Sequence, residues 1–123
     1  MYTVVVTEHF EDWYVAEATI AQFETLDEAI RCYCAECGQI VSGGYRATGI
    51  DQYVSESLGN DEDVTEGANE GVVAEIRSDD EQIASLHFDY DHRSRSFGGC
   101  SELGLDLESL TQEQVQLIRS FIR

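Results

Sequence analysis

The sequence contains no lysine and no proline, and all seven of its basic residues are arginine. Its acidic residues number 25, which gives a formal net charge of −18. Proteins that bind nucleic acid directly present lysine and arginine to the phosphates, so we expect no direct contact with nucleic acid. The excess of carboxylates instead favours a partner with a cationic surface, because opposite charge steers association.

Long apolar runs are also absent, and no segment approaches the roughly 20 residues that a membrane-spanning helix needs. Residues 1–8 have neither the basic lead nor the cleavage site that marks a signal peptide. We therefore expect no membrane role and a cytoplasmic location, which for a phage-encoded protein would be the cytoplasm of the host cell.

Catalytic signatures are missing as well. The sequence has no Gly-x-Ser-x-Gly, P-loop, dinucleotide-binding or His-Glu-x-x-His motif. An EF-hand counted from Asp61 would need glycine at its sixth position and glutamate at its twelfth, where this chain has Glu66 and Val72. We therefore expect a protein that is not an enzyme and that holds no cofactor.

The composition is that of one folded unit. The chain has 123 residues, 42% of them hydrophobic, with six Tyr, five Phe and one Trp. This supplies one packed core, so residues 1–123 are expected to form a single domain.

Periodicity predicts that the domain opens with two antiparallel strands. Residues 2–8 are rich in β-branched side chains, residues 9–12 form a polar turn, and residues 13–23 return as the second strand. Glu17 and Thr19 interrupt the apolar face of that strand. The apolar face itself consists of Trp13, Val15, Ala21 and Phe23.

A helix is predicted over residues 26–37. It begins at a capping box formed by Thr25 and Glu28 and ends at Gly38, a residue that adopts the left-handed conformation easily. Its apolar stripe consists of Leu26, Ala29, Ile30, Tyr33, Cys34 and Cys37.

The middle of the chain is predicted to be irregular, with a third strand within it. Residues 39–44 are predicted as a loop, and a strand is predicted within residues 45–54. Residues 57–71 are acidic and rich in Gly and Asn, which predicts a mobile surface loop.

The second half adds two strands and a helix. Residues 72–77 and 83–90 alternate around a turn at residues 78–82, with one apolar and one polar face. A final helix over residues 111–122 starts near Thr111. The predicted fold is therefore α+β: an antiparallel sheet of about five strands with two packed helices, a ββα start and a C-terminal helix.

The negative charge is concentrated in one region. Residues 61–91 contain eleven acidic residues and one arginine, whereas residues 92–123 contain four of each. A local excess of this kind is typical of a binding face. The predicted partner-binding residues are Asp61, Glu62, Asp63, Glu66, Glu70, Asp79, Asp80, Glu81, Asp89 and Asp91.

Carboxylates at alternate strand positions lie about 6.6 Å apart, close to the spacing of successive phosphates along a nucleic-acid strand. In size and charge the chain resembles the small acidic inhibitors of phages and plasmids, which include anti-CRISPR and anti-restriction proteins that mimic DNA. That resemblance implies a basic nucleic-acid-binding partner, of nuclease or CRISPR-effector type, blocked without turnover. The sequence indicates no oligomeric state.

Two weaker metal hypotheses arise from the sequence. Cys34 and Cys37 have the two-residue gap of a zinc motif, and Cys100 with His87 or His92 could complete it. A helical stripe of cysteines is more typical of core packing. His87, Asp89 and Asp91 alternate along one strand and could form a metal or acid–base cluster, although such alternation is also typical of a solvated strand face.

The opening unit also resembles the HicB-type antitoxins. The residues that carry this resemblance are Tyr14-Val15-Ala16-Glu17, followed by Thr25-Leu26-Asp27-Glu28-Ala29 at the helix start. The resemblance implies an acidic protein that neutralises a basic RNase. Adaptation to high salt is the other alternative. Two features count against it, the excess of Glu (15) over Asp (10) and the four cysteines.

Overall fold

The computed structural model describes residues 1–58 and 69–123, with the side chains of residues 57 and 58 excepted. Within these residues, five antiparallel strands form one sheet in the order β2-β1-β3-β4-β5. Three helices and one π-helical turn accompany the sheet, which confirms the α+β class, the ββα start and the C-terminal helix. The elements are β1 (Tyr2–Phe10), β2 (Trp13–Phe23), α1 (Leu26–Ser42), α2 (Thr48–Tyr53), the π-helical turn (Val54–Leu58), β3 (Glu70–Ser78), β4 (Glu81–Asp91), β5 (Ser96–Leu105) and α3 (Gln112–Arg119).

The core lies between one face of the sheet and the helices. Tyr33 of α1 is fully buried, and its hydroxyl donates to the carbonyl of Ala74 at 2.8 Å, which ties α1 to β3. Ten strand residues of the core alternate along β1, β3 and β4 and therefore share one face of the sheet. They are Val4, Val6, Phe10, Val72, Ala74, Ile76, Ala84, Leu86, Phe88 and Tyr90.

The opposite side of the sheet is called the second face below. It carries the residues that alternate with the core positions of the three central strands. They are Val5, Thr7 and His9 of β1, Val73, Glu75 and Arg77 of β3, and Ser85, His87 and Asp89 of β4.

Two bulges in β2 explain its imperfect alternation. Relative to β1, the strand has an extra residue at Val15 and another at Ile20. Each extra residue turns the side chains that follow it to the other face. Glu17 and Thr19 therefore lie on the second face, while Trp13 is 69% exposed at the start of the strand instead of joining the core.

Both predicted helix starts are confirmed. The side-chain oxygen of Thr25 accepts from the amide of Glu28 at 3.3 Å. Thr111 and Gln114 form a complete capping box, and α3 ends at Arg119 instead of residue 122. In the described part of the chain, no helix has both the length and the apolar character needed to cross a membrane.

The predicted end of α1 is wrong. Gly38 lies inside the helix, and the left-handed stop falls at Gly43, where φ is 81°. The helix continues because Ile40 is completely buried and adds a turn to the apolar stripe. Burying such a side chain contributes about 1.5–3 kcal/mol, which exceeds the roughly 1 kcal/mol that glycine costs in a helix interior.

The predicted strand within residues 45–54 is also wrong, because this segment forms α2. Ile50 and Val54 lie four residues apart and are both buried, as the helical repeat requires. The N-cap residue of α2 is Ala47, which has no capping side chain. The carboxylate of Glu8 in β1 accepts from the amide of Ile50 at 3.0 Å instead.

The remaining strand of the sheet is β5, which the sequence pattern did not indicate. Gly98 and Gly99 lie in its interior, where glycine weakens a strand prediction. Its register against β4 shifts beside Asp89, so no simple alternation appears in the sequence. The predicted number of strands is therefore confirmed, but one strand was assigned to the wrong segment.

Candidate functional site

The β3–β4 hairpin presents exposed carboxylates at its tip. Ser78 pairs with Glu81, and Asp79 and Asp80 form the turn between them. Asp79 has φ 54°, a left-handed conformation that tight hairpin turns require and that aspartate tolerates. The carboxylates of residues 79–81 are exposed, and in the described part of the chain none of them takes part in an ion pair.

Asp89 and Asp91 project from the other end of β4. The ten residue steps from Glu81 to Asp91 correspond to about 33 Å at about 3.3 Å per residue. The side chain of Asp89 is 67% exposed. Asp91 is also exposed, and the amide of Arg93 donates to it at 3.0 Å, which lowers the pKa of this carboxyl. Within the described residues, the exposed carboxylates among the predicted partner-binding residues therefore form two groups at opposite ends of β4.

Four of the predicted binding residues lie outside the described residues, so their role stays a prediction. They are Asp61, Glu62, Asp63 and Glu66. The predicted mobile loop over residues 57–71 falls mostly on the same segment, but its last two residues already belong to β3.

The assignment of Glu70 to an exposed binding surface is wrong. Glu70 is 7% exposed at the start of β3. Its carboxylate accepts from the backbone amide of His92 at 2.9 Å and lies 2.7 Å from Nδ1 of the same residue. Glu70 therefore fastens the start of β3 to the end of β4 and is not available to a partner.

Glu70, Asp91 and His92 also form the one group of three potential metal ligands within the described residues. Their ligand atoms all lie within 4.8 Å of one another. His92 is 8% exposed, and its Nε2 has no hydrogen-bond partner in that part of the chain. Its Nδ1 is already held by Glu70, so the structure groups His92 with carboxylates and not with cysteines.

The predicted thiolate ligands do not join this group. Cys34, Cys37 and Cys100 are free thiols, and Cys37 is completely buried. Burial raises the pKa of all three, that of Cys100 to about 11. The thiolate is the form that binds metals and attacks electrophiles. A raised pKa keeps these cysteines in the thiol form, which is typical of cysteines that pack in a core.

A side chain of another strand contacts the polar face predicted for β4. His87 was grouped with Asp89 and Asp91, but its closest polar neighbour is His9 of β1, with Nε2 atoms 2.8 Å apart. His9 belongs to the predicted turn at residues 9–12, but it lies inside β1 and is 8% exposed. Only the strand order, which puts β1 and β4 on either side of β3, could have indicated this pair.

The two histidines line a pocket on the second face. The pocket has a volume of about 260 Å³ and includes Tyr14 and Leu103 from the two edge strands of the sheet. Glu11 and Asp12 of the β1–β2 turn also line it.

Comparison with known proteins found no matching family model, no matching curated protein and no matching solved structure. The resemblance to HicB-type antitoxins therefore depends on the residues quoted above. Those residues fall in β2 and in the first turns of α1.

Proposed function

We propose that this protein binds a basic, nucleic-acid-handling protein and blocks its nucleic-acid site by presenting carboxylates in place of phosphates. The observation that carries the proposal is the excess of exposed carboxylates that form no ion pair with arginine within the described residues. The described ion pairs between arginine and carboxylate involve three arginines, Arg77, Arg95 and Arg119. They leave the turn carboxylates at residues 79–81 free to meet an external cation.

Two carboxylates of the second face share one arginine. Arg77 contacts Glu17 at 3.2 Å and Glu75 at 3.1 Å across the second face. Gln82 donates to Glu75 at 2.6 Å. One arginine therefore offsets only one of these two carboxylates, and residues 79–81 at the hairpin tip add three exposed carboxylates with no ion pair among the described residues.

The separation of the two acidic groups supports mimicry of a duplex. About 33 Å along β4 is close to the 34–36 Å of one helical turn of B-DNA. This distance exceeds the Debye length of about 8 Å at physiological salt, so the two groups act on a partner independently. Within each group the charges lie close enough to reinforce one another.

An antitoxin-like role is the second candidate. The strand-then-helix arrangement of residues 14–17 and 25–29 supports it, because the resembling segments lie in consecutive elements. Such a protein would also engage a cationic partner, a basic RNase. The two candidates therefore differ in the partner's substrate and share the binding chemistry.

The proposal can be tested by competition with labelled DNA. A CRISPR effector–guide complex and a type I restriction enzyme are each bound to fluorescent target duplex, and displacement is followed by anisotropy. A basic RNase with labelled RNA tests the second candidate. We expect displacement of the duplex in at least one DNA assay, weakening between 0.1 and 0.5 M salt.

The variant for this assay replaces Asp79, Asp80 and Glu81 with lysine. An exposed ion pair contributes up to about 1 kcal/mol, so losing three removes up to about 3 kcal/mol. Because 1.4 kcal/mol is tenfold in affinity, we expect a loss of about 10- to 100-fold. The matched control, which makes the same charge change at exposed positions outside the sheet, is Glu56→Lys, Glu108→Lys and Glu113→Lys.

Three results would contradict the proposal: no displacement in either DNA assay, displacement that ignores salt, or an equal loss in the control variant. A fold that melts at low salt and is stabilised in molar salt would instead identify the charge as salt adaptation.

A further inference from the structure

The pocket on the second face combines two carboxylates with an exposed aromatic ring. Glu11 and Asp12, the two residues of the β1–β2 turn, are both exposed, and within the described part of the chain neither forms an ion pair. Tyr14, near the start of β2, is 77% exposed. No arginine is among the described residues that line the pocket. The pocket therefore offers a cation from outside the chain both negative charge and an aromatic face.

The histidine pair gives this pocket an uncharged wall. The proton of His9 lies on Nδ1, because the carbonyl oxygen of Glu11, 3.1 Å away, can only accept. Nε2 of His9 is therefore an acceptor, and the Nε2–H of His87 donates to it at 2.8 Å. Burial and the neighbouring His9 lower the pKa of His87, with Asp89 opposing them. A positive charge on His87 is disfavoured at neutral pH, so this wall does not repel a cation.

We propose that this pocket receives an arginine side chain of the basic partner, an inference that rests on the proposed function. A guanidinium stacks on an aromatic face and pairs with a carboxylate through two parallel hydrogen bonds, which an ammonium group does not match. Leu103 of β5 is 57% exposed, and with Val73 of β3 it adds apolar surface for the methylene stem of an arginine. The pocket's volume of about 260 Å³ is below the roughly 300–1,000 Å³ of small-molecule sites, which suits a single side chain.

The backbone conformation of Glu11 allows binding to be separated from stability. Its φ is 53°, in the left-handed region that glycine adopts more easily than glutamate. The amide of Glu11 donates to the carbonyl oxygen of Asn69, and its own carbonyl oxygen accepts from His9, so backbone bonds hold the turn. Glycine at this position keeps those bonds and removes the carboxylate. The substitution should therefore weaken binding of a cation without weakening the fold.

Fluorescence anisotropy of labelled hexa-arginine and hexalysine peptides, titrated with the full chain, tests the pocket. The two peptides carry the same charge, so diffuse attraction to the exposed carboxylates is matched between them. The ratio of their affinities therefore reports recognition of the guanidinium group. The titrations are done at about 0.15 M NaCl, where exposed charges more than about 8 Å apart are largely screened. We expect the wild-type chain to bind hexa-arginine more tightly than hexalysine.

Three variants locate the recognition in this pocket. Tyr14→Ala should lower the preference for hexa-arginine by about 2- to 5-fold, the effect of one exposed cation–π contact. Trp13→Ala is the matched control, because Trp13 is 69% exposed in the same strand but pairs with Phe10 on the core side and does not line the pocket. Glu11→Gly should weaken hexa-arginine binding by up to about fivefold, as the loss of one exposed ion pair does, with no fall in its urea midpoint.

The pocket assignment is overturned if Tyr14→Ala and the wild type show the same preference, or if Trp13→Ala lowers the preference as much as Tyr14→Ala does. It is also overturned if Glu11→Gly binds hexa-arginine as tightly as the wild type. These results would leave the proposed function standing, because duplex displacement and the variant at residues 79–81 are measured separately. A preference lost in Tyr14→Ala, with no displacement in the duplex assays, would support the arginine pocket and contradict the proposed function.

Discussion

Replacing Glu8 with alanine should destabilise the protein more than replacing any exposed acidic residue. Glu8 is 5% exposed, and its carboxylate accepts from the hydroxyl of Tyr45 at 2.7 Å and from the amide of Ile50 at 3.0 Å. Because Ala47 provides no cap, this carboxylate is the side chain that satisfies the start of α2. Alanine would leave both donors without their acceptor.

The expected loss follows from these two bonds. A hydrogen bond to a charged group contributes about 1.5–3 kcal/mol. Removing the carboxylate also removes the cost of burying its charge, so the net loss of stability for two such bonds is about 3–5 kcal/mol. This is a large part of the 5–15 kcal/mol that is usual for a domain. Glu8→Gln keeps one acceptor oxygen but turns an NH₂ group toward the other donor, so it should lose about half as much.

Urea denaturation followed by far-UV circular dichroism measures both losses. Trp13 fluorescence is a poor probe because that side chain is already 69% exposed in the folded protein. Glu17→Gln is a suitable control, since Glu17 pairs with Arg77 at the surface and should change stability by less than about 1 kcal/mol.

A double-mutant cycle between Glu8→Gln and Tyr45→Phe isolates one of the bonds. We expect a coupling free energy of about 1 kcal/mol or more, as is usual for residues in contact. A loss below about 1 kcal/mol for Glu8→Ala, or a coupling indistinguishable from zero, would refute the argument that this carboxylate holds α2 against β1.

Two further predictions concern the helix and alkaline pH. Gly38→Ala should raise stability by about 1 kcal/mol, because a Cβ at this interior helix position meets no atom within 4 Å. Gly43→Ala should lower it, because alanine is strained at φ 81°; calorimetric melting of both variants would contradict this if their shifts had the same sign. Burial raises the pKa of Cys37 and Tyr33 above 9.0 and 10.0. The unfolded chain therefore loses these protons first, and stability should fall as pH rises by about 1.4 kcal/mol per pH unit for each group, from pH 9 for Cys37 and from pH 10 for Tyr33. Urea midpoints that stay constant from pH 8 to 11 would contradict this.

Elements with local signals were predictable. The helix starts at Thr25 and Thr111 follow from capping residues three positions apart, and β3 and β4 follow from alternating side chains around an acidic turn. The exposure of Asp79 and Asp80 was predictable for the same reason, because aspartate favours tight turns. Each of these features depends on residues that are near neighbours in the chain.

Elements that depend on distant partners were not predictable. α2 is capped by Glu8, which lies about forty residues away in sequence, and β5 bends at Gly98 and Gly99 where local alternation disappears. Glu70 belongs to an acidic segment, yet pairing with β1 and β4 buries it against His92. In each case tertiary packing overrides the local preference.

By itself the sequence determined the net charge, its concentration in residues 61–91 and the absence of known catalytic motifs. These are sums and patterns over the chain, which folding does not change. Only the tertiary structure decided which of the predicted partner-binding carboxylates are exposed, that these lie at opposite ends of β4, and that His9 meets His87 across β3. Burial and side-chain distances depend on strand order, register and bulges, which bring together residues that no local pattern connects.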